Sequence, residues 1–458
     1  MLTPVIFKAN DIRGVTGPEG EWDADGAYAI GTATAEVLQL AGRTIVLGRD
    51  MRTSSEEYAA AFAHGVRDRG VNVIDVGLSS TDQLWFCSGH LDLHGVMFTA
   101  SHNPGAYNGV KFCRPGALPV DSTILAAIRE RALVADATGP QPAVAELGSL
   151  ETRDLLDAYA EHLHSLVDTR GLRKLKVVAD AGNGMAGHTL PAVLGSDDRF
   201  DVIGLYTDPD GSFPNHAPNP LEPENLVDAQ AAVREHGADL ALVFDGDADR
   251  CFIIDERGEV VSPSAVTAMI AVQELHREPG ATIVRNIITS RTVPEVVAEH
   301  GGRCVTTRVG HTFVKAAMAE TGAIFGGEHS AHYYFRDFWG ADTGMLAALH
   351  ILAMVGRSDQ PLSQLAQEFS RYVASGEINS TVADAAAMMD KVEKIYRDRV
   401  LAEGGEIDRS DGLTVIARDW WFNLRPSNTE PLLRFNAESV TQSLTDTIRD
   451  DVLGVVRS

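Results

Sequence analysis

The sequence predicts an α/β protein, with three serial mixed α/β domains followed by a smaller α+β C-terminal domain. Three observations carry that expectation. Short apolar, β-prone runs alternate with helical patterns through most of the chain, as βα units require. The alternation lapses over 137–150, where Gly139, Pro140 and Pro142 interrupt it, restarts, and runs a third time from 281 to 335. From about Ser370 the style changes to strands around a charged helix. At about 150 residues per domain, a chain of 458 residues accommodates three domains or four small ones. The expected domains are 1–145, 151–255, 256–368 and 370–458.

The first domain opens on Phe7, Lys8, Ala9, Asn10, Asp11, Ile12, Arg13 and Gly14, a charged tripeptide before a glycine turn. A helix over 27–40 precedes a buried strand over 44–48, the segment from Arg49 to Ser55, a second helix, and a strand over 72–77. The apolar run Val96, Met97, Phe98 stops at Thr99, Ala100, Ser101, His102, Asn103, Pro104 and a Gly-rich turn; Val110, Lys111 and Phe112 then resume the strand pattern. Ser101 is expected at a strand's end on an irregular loop, where open α/β sheets bind ligands. Ordinary turn chemistry is the plain alternative.

In the second domain a helix over 155–166 leads to a strand over 176–180 and the turn 181–187. The glycine spacing there fits neither the dinucleotide fingerprint nor the P-loop, so it reads as a tight turn into a helix. A long Pro/Asn-rich loop follows over 210–225, then a strand over 238–244. The third domain has strand candidates at 282–284, 303–307 and 323–325. The last has strands at 376–381, 413–417 and 432–437 and a charged helix over 384–401.

Composition is that of an ordinary soluble globular protein, with 44% apolar residues. A formal charge of -25 argues against a nucleic-acid partner, so any phosphate site must be locally basic. Arg13, Lys111, Arg250 and Arg425 recur inside the motifs. Cys87, Cys113, Cys251 and Cys304 are widely spaced with no C-x-x-C pair, and are expected as buried thiols in a reducing compartment. The amino terminus lacks a basic segment followed by a long apolar run, and the apolar run 344–356 is too short to span a membrane and contains His350. A cytoplasmic protein is expected.

Asp245, Asp247 and Asp249 stand at alternate positions after a strand. In an extended or tightly looped segment they return to one side, and Gly246 and Ala248 leave room for the backbone to curl. Carboxylate oxygens favour a hard ion, Mg²⁺ first, then Ca²⁺ or Mn²⁺. With Glu256 the three match EF-hand positions, but the required glycine is Arg250 and the residues from Cys251 to Ile254 read as a strand. A solvated acidic turn is the simpler reading. Glu328, Ser330 and His332, if extended, face one side and suit sugar hydroxyls; a polar loop with a capping serine competes. Arg425, Pro426, Ser427, Asn428, Thr429, Glu430 and Pro431 combine a guanidinium fork with hydroxyl, amide and backbone donors, an anion cradle or a plain turn.

Together the stretches from Thr99 to Pro104, Asp11 to Gly14, Asp245 to Arg250, Gly327 to Ser330 and Arg425 to Pro431 resemble the α-D-phosphohexomutases, the family of phosphomannomutases and phosphoglucomutases. The resemblance covers nearly the whole chain. It implies domains around a central cleft, with Ser101 carrying a phosphate that it passes to the sugar and Arg13 reaching that phosphate. It implies one Mg²⁺ on Asp245, Asp247 and Asp249, with Ser101 completing the coordination. His102 and Lys111 become candidates for orienting the phosphate or moving protons. Arg250, His311, Glu328, Ser330 and His332 become substrate contacts, with His332 in proton transfer, and Arg425, Ser427, Asn428 and Thr429 grip the phosphate that is not transferred. A basic residue after the strand near Ile283 corresponds to Arg285, and Ala331 replaces a glycine common in relatives. His329 looks like the phosphomannomutase/phosphoglucomutase branch, since glucosamine-phosphate members usually have Gln there.

The implied reaction interconverts mannose 6-phosphate and mannose 1-phosphate, and glucose phosphates as well, through a phosphoserine and a hexose 1,6-bisphosphate that also primes the enzyme. The implied partners are small hexose phosphates, with no nucleic acid or membrane, for a monomer or homodimer. A phosphoglucosamine mutase and a noncatalytic metal-binding protein are the competing readings.

Overall fold

The computed structural model describes residues 1–17, 19–139, 142–195, 197–427 and 432–458. They form two compact units, Met1–Pro263 with Ser330–Leu365, and Ser264–His329 with Ala366–Ser458.

The first unit is built on two sheets. One contains β1 (Ile12–Val15), β2 (Thr44–Arg49), β3 (Asn72–Leu78), β4 (His94–Phe98), β5 (Tyr107–Arg114), β6 (Leu118–Pro119) and β7 (Leu150–Thr152), in the order β1-β5-β4-β2-β3-β7 with β6 beside β5. β2 lies between β4 and β3 and runs parallel to both, so the carboxyl ends of all three emerge side by side. Helices α1 (Ala24–Val37) and α2 (Ser55–Arg67) bury Ala27, Ile30, Phe62 and Val66 with Ile45, Leu47, Val96 and Phe98 of the strands. Asp23 caps α1 by accepting from the Gly26 N–H at 3.0 Å, and Ser80 caps α3 (Thr81–Leu91) by accepting from Gln83 at 3.2 Å. Each such cap is worth about 1 kcal/mol.

The second sheet contains β8 (Leu175–Asp180), β9 (Phe200–Leu205), β10 (Leu240–Phe244), β11 (Cys251–Asp255) and β12 (Val260–Val261), ordered β12-β11-β10-β8-β9. β10 pairs parallel with β8 and antiparallel with β11. The strand Tyr333–Phe335 pairs antiparallel with Ala341–Asp342, and the apolar run 344–356, too short to span a membrane, is the buried helix Gly344–Gly356. Among the described residues no helix is long and apolar enough to cross a membrane.

In the second unit β13 (Thr282–Asn286) pairs parallel with β14 (Arg303–Thr307) and β15 (Phe325–Gly327). The chain then forms an antiparallel sheet in which Leu432–Ser439 pairs with Trp420–Pro426, which in turn pairs with Leu413–Ile416. Helices Ala385–Ala402 and Gln442–Val456 supply Val392, Tyr396, Ile448 and Val452 to a core with Phe422 and Phe435.

Most expected elements are present, with four corrections. The strand expected at 323–325 is Phe325–Gly327. Trp420–Pro426 is a strand up to Pro426, where a loop was expected from Arg425; Pro426 sits at the strand's end, opposite Leu433, and its missing N–H does not interrupt the interior of the ladder. All four cysteines are free, but Cys304 is only half-buried. Residues 329–331 turn, with Ala331 left-handed at φ 64°, so Glu328, Ser330 and His332 do not form the extended segment expected of them.

Candidate active site

Within the first unit the topology brings two loops together. Ser101 follows β4 in a turn, is 4% exposed, and has φ 50°, a left-handed conformation that a non-glycine residue keeps only when its surroundings fix it. Its N–H donates to Thr99 Oγ1 at 2.9 Å and its carbonyl accepts from Arg52 at 2.7 Å. The other loop, 245–250, closes the β10–β11 hairpin, whose register ends at Phe244 opposite Cys251. Gly246 is required there, since a Cβ would lie 2.5 Å from the Ser101 carbonyl oxygen. Thr81, at the start of α3, anchors the same loop. Its N–H donates to the Asp247 carbonyl at 2.9 Å and its hydroxyl to Asp247 Oδ2 at 2.6 Å. Ser101 Oγ therefore donates to Asp245 Oδ2 at 2.9 Å although 144 positions separate them.

Asp245, Asp247 and Asp249 are all buried, and each offers a carboxylate oxygen within 4.8 Å of the others. Asp247 Oδ1 and Asp249 Oδ1 are buried without a hydrogen-bond partner. Lys111, on β5, places Nζ 2.7 Å from Asp247 Oδ2 and 2.6 Å from Asp249 Oδ2. Arg250 donates to Asp245 Oδ2 through Nε at 2.9 Å and Nη2 at 2.7 Å. Three carboxylates thus face two cations, leaving negative charge and two orphaned hard donors. That donor set fits a divalent cation. The antiparallel flanks β10 and β11 exclude the helical frame of an EF-hand.

The charge pattern separates the carboxylates. Burial pushes Asp245 up to about 7 despite Arg250, with Asp249 and Asp247 adding to the rise. For Asp247 burial works in the same upward direction, but Lys111 and the Thr81 hydroxyl hold it far below the usual carboxylate range. Burial would lower Lys111, yet Asp247 and Asp249 keep it above its ordinary value. His102 Nδ1 is 3.2 Å from Ser101 Oγ and within hydrogen-bond reach of Arg250. Burial and then Arg250 hold its pKa well below the ordinary value, so its imidazole is neutral.

Arg250, buried at 2% exposure, also directs Nη2 to Ser101 Oγ at 3.4 Å. Arg13, on β1, reaches the serine loop through Asn103 Oδ1 at 2.7 Å and not through Ser101 itself, while its other amino group pairs with Asp11. His332 forms a backbone bridge with Arg250; its Nε2 is 3.7 Å from Asp249 Oδ1, and Nδ1 is 3.0 Å from Ser330 Oγ.

The remaining candidates belong to the second unit. Glu328, after β15, is buried and accepts from Asn286 Nδ2 at 2.8 Å and the Gly310 N–H at 3.3 Å. His311 is the first residue of helix His311–Thr321. His329 Nδ1 is 3.1 Å from Ser264 Oγ, and burial lowers its pKa. Arg285 donates to the Thr289 carbonyl at 2.6 Å. Arg425 lies near the end of its strand, 4.0 Å from Glu377, with a buried Nε lacking a partner. Ser427 follows, its N–H bonded to the Leu432 carbonyl at 2.9 Å. Asn428 and Thr429 lie outside the described residues.

Sequence reasoning passed over Arg52 and Thr81. Both follow the ends of parallel strands, β2 and β3, and that shared position beside the Ser101 turn was the available signal.

A buried serine beside three aspartates, with an arginine and a lysine at hand, suits the handling of a phosphate, and comparison with known proteins bears on this site directly. Profiles described as phosphoglucomutase/phosphomannomutase alpha/beta/alpha domains I, II and III match residues 4–138, 157–258 and 263–372, and the C-terminal domain matches 377–455. The chain belongs to the phosphoglucomutase/phosphomannomutase family. It is 40% identical over 443 residues to a phosphomannomutase of Escherichia coli, covering 94% of each chain, and 42% identical over 449 residues to one from Salmonella typhimurium, covering 96% of each. A solved phosphoglucomutase/phosphomannomutase family protein from Burkholderia thailandensis superposes with a TM-score of 0.88 at 33% identity, covering 100% of this chain and 98% of that one.

Proposed function

We propose that the protein interconverts mannose 6-phosphate and mannose 1-phosphate, and glucose phosphates as well, through a phosphoserine at Ser101 and a hexose 1,6-bisphosphate. The observation that carries this reading is the 2.9 Å contact between Ser101 Oγ and Asp245, inside a loop pair that also holds Lys111 and Arg250. The sugar hydroxyl oxygen attacks the phosphorus of phosphoserine as the bond to Ser101 Oγ breaks, and the hydroxyl proton leaves to a base. After the bisphosphate turns around, Ser101 Oγ attacks the phosphorus of the other phosphate as its bond to the sugar oxygen breaks, that oxygen takes the proton back from the base, and the isomerised monophosphate departs. Arg250, Lys111 and Arg13 offset charge spread over the phosphoryl oxygens in a loose transition state. Neutral His102, beside Ser101 Oγ, can hold a proton or orient the phosphate.

Asp245, Asp247 and Asp249 would hold Mg²⁺, with Ser101 as a further ligand, and the bound ion would supply polarisation of the phosphoryl group. Glu328, Ser330, His332 and His311 are assigned to sugar contacts, and Arg425, Ser427, Asn428 and Thr429 to the phosphate not in transfer. The proposed domains are 1–145, 151–255, 256–368 and 370–458. Four free thiols accord with action in the cytoplasm.

A substrate panel primed with a trace of hexose 1,6-bisphosphate tests the assignment. Mannose and glucose phosphates are expected to turn over; exclusive turnover of glucosamine phosphate would contradict it. Chelation should abolish activity and Mg²⁺ restore it.

A further inference from the structure

A buried arginine, Arg52, lies against the backbone of the serine loop. The Arg52 side chain is inaccessible to solvent. A guanidinium has five N–H donors, and here each has an acceptor. Nε donates to Asp50 Oδ2 at 3.1 Å, Nη1 to the carbonyls of Pro104 at 2.8 Å and Tyr107 at 2.9 Å, and Nη2 to those of Ser101 and Asn103 at 2.7 Å each. Three of the five acceptors, the carbonyls of Ser101, Asn103 and Pro104, belong to the loop that carries Ser101, and a fourth is on Tyr107, where β5 takes over from that loop. Asp50 is itself fixed by the Arg52 N–H at 3.0 Å and the Ser55 hydroxyl at 2.5 Å.

Arg52 is also covered by the Pro/Asn-rich loop that follows β9, in the other sheet of the same unit. The Phe213 ring centroid is 5.2 Å from Arg52 Cζ. A Cβ on Gly211 would come 2.5 Å from Arg52 Cα, so that loop is seated directly on it.

We infer that Arg52 is a positioning residue that presets the Ser101 loop for phosphoryl transfer, with Phe213 holding the guanidinium in register. Four carbonyl dipoles converging on one point repel unless a cation sits there, and a left-handed Ser101 needs a loop that is held. Lysine has three donors and no planar fork, so it cannot take the same four carbonyls and Asp50 together. Arg52 makes no hydrogen bond to Ser101 Oγ or to Asp245, Asp247 or Asp249; it acts on the reaction through the placement of Ser101.

This inference rests on the mutase reading, and one experiment separates the two. Unsubstituted enzyme, Arg52→Lys and Phe213→Leu are each incubated with hexose 1,6-bisphosphate and Mg²⁺, phosphate on Ser101 is followed by mass spectrometry, and kcat and KM are measured for mannose 1-phosphate. Misplacing the serine by about 1 Å predicts a fall in kcat of about a hundredfold for Arg52→Lys. KM should rise by no more than about threefold, since no sugar contact is lost, and phosphorylation of Ser101 should be slowed in proportion to kcat. Phe213→Leu should show the same pattern at about fivefold. Folded Arg52→Lys with kcat close to that of the unsubstituted enzyme, or a loss expressed in KM alone, overturns the inference. If Arg52→Lys fails to fold, Phe213→Leu decides by the same two readings. Unsubstituted enzyme that turns over without phosphate on Ser101 overturns the mutase reading beneath it.

Discussion

Asp82 sits fully buried at the start of α3, accepting from the hydroxyls of Ser80, Tyr159 and Thr343, the last two at 2.7 Å. Burial pushes its carboxyl up to about 6, against the pull of those hydroxyls. Between about pH 4 and 6 the folded chain therefore keeps a proton that the unfolded chain has lost, so this group's contribution to stability falls as pH rises through that window. The full displacement is worth about 3 kcal/mol against the fold at neutral pH. Asp82→Asn should raise stability at pH 7 and flatten the profile between pH 4 and 6, measured by urea unfolding. An unchanged slope would refute the assignment. Asp245, Asp247 and Asp249 were legible because alternation after a strand has one geometric consequence. Asp82 was not, because its role as an acceptor depends on Tyr159 and Thr343, which stand 77 and 261 positions away.

At the scale of elements, the two loops meet through backbone. Gly246→Ala would drive a Cβ to within 2.5 Å of the Ser101 carbonyl, and one loop must shift. A fall in kcat of at least about tenfold is expected, with KM little changed, because Ser101 and Asp245 lose register without losing a sugar contact. Steady-state kinetics check this, and full activity would show that the loops are less tightly fitted. The strands at Thr44–Arg49, Asn72–Leu78 and Leu240–Phe244 and the helices Ala24–Val37, Leu156–Leu166 and Ala385–Ala402 could be read, within a few residues, from periodicity, since each needs only local pattern. The turn at 329–331 could not, because a left-handed Ala331 leaves no mark in a pattern of polar residues at alternate positions. Trp420–Pro426 was hidden for a related reason, as Pro426 signals a break but occurs at the end of the strand.

At the scale of the whole molecule, a chain of formal charge -25 concentrates Lys111, Arg250 and Arg13 around one serine and its acidic loop. A cation that binds only the folded form stabilises it, by about 2.7 kcal/mol at a hundred times Kd. Added Mg²⁺ should raise the melting temperature of the unsubstituted protein and leave that of Asp247→Asn nearly unmoved. An equal rise in both would remove the triple-aspartate loop as the site. The order of motifs along the chain was legible, but the contact spanning 144 positions from Ser101 to Asp245 follows from strand order in two sheets, which periodicity does not encode. The central claim is that Ser101 carries the phosphate in transit. Incubation with hexose 1,6-bisphosphate labelled in its phosphates, followed by peptide mass spectrometry and a chase with unlabelled mannose 6-phosphate, tests it most directly. The account predicts one labelled phosphate on Ser101 that leaves with the sugar product; turnover with no label ever reaching Ser101 would contradict it.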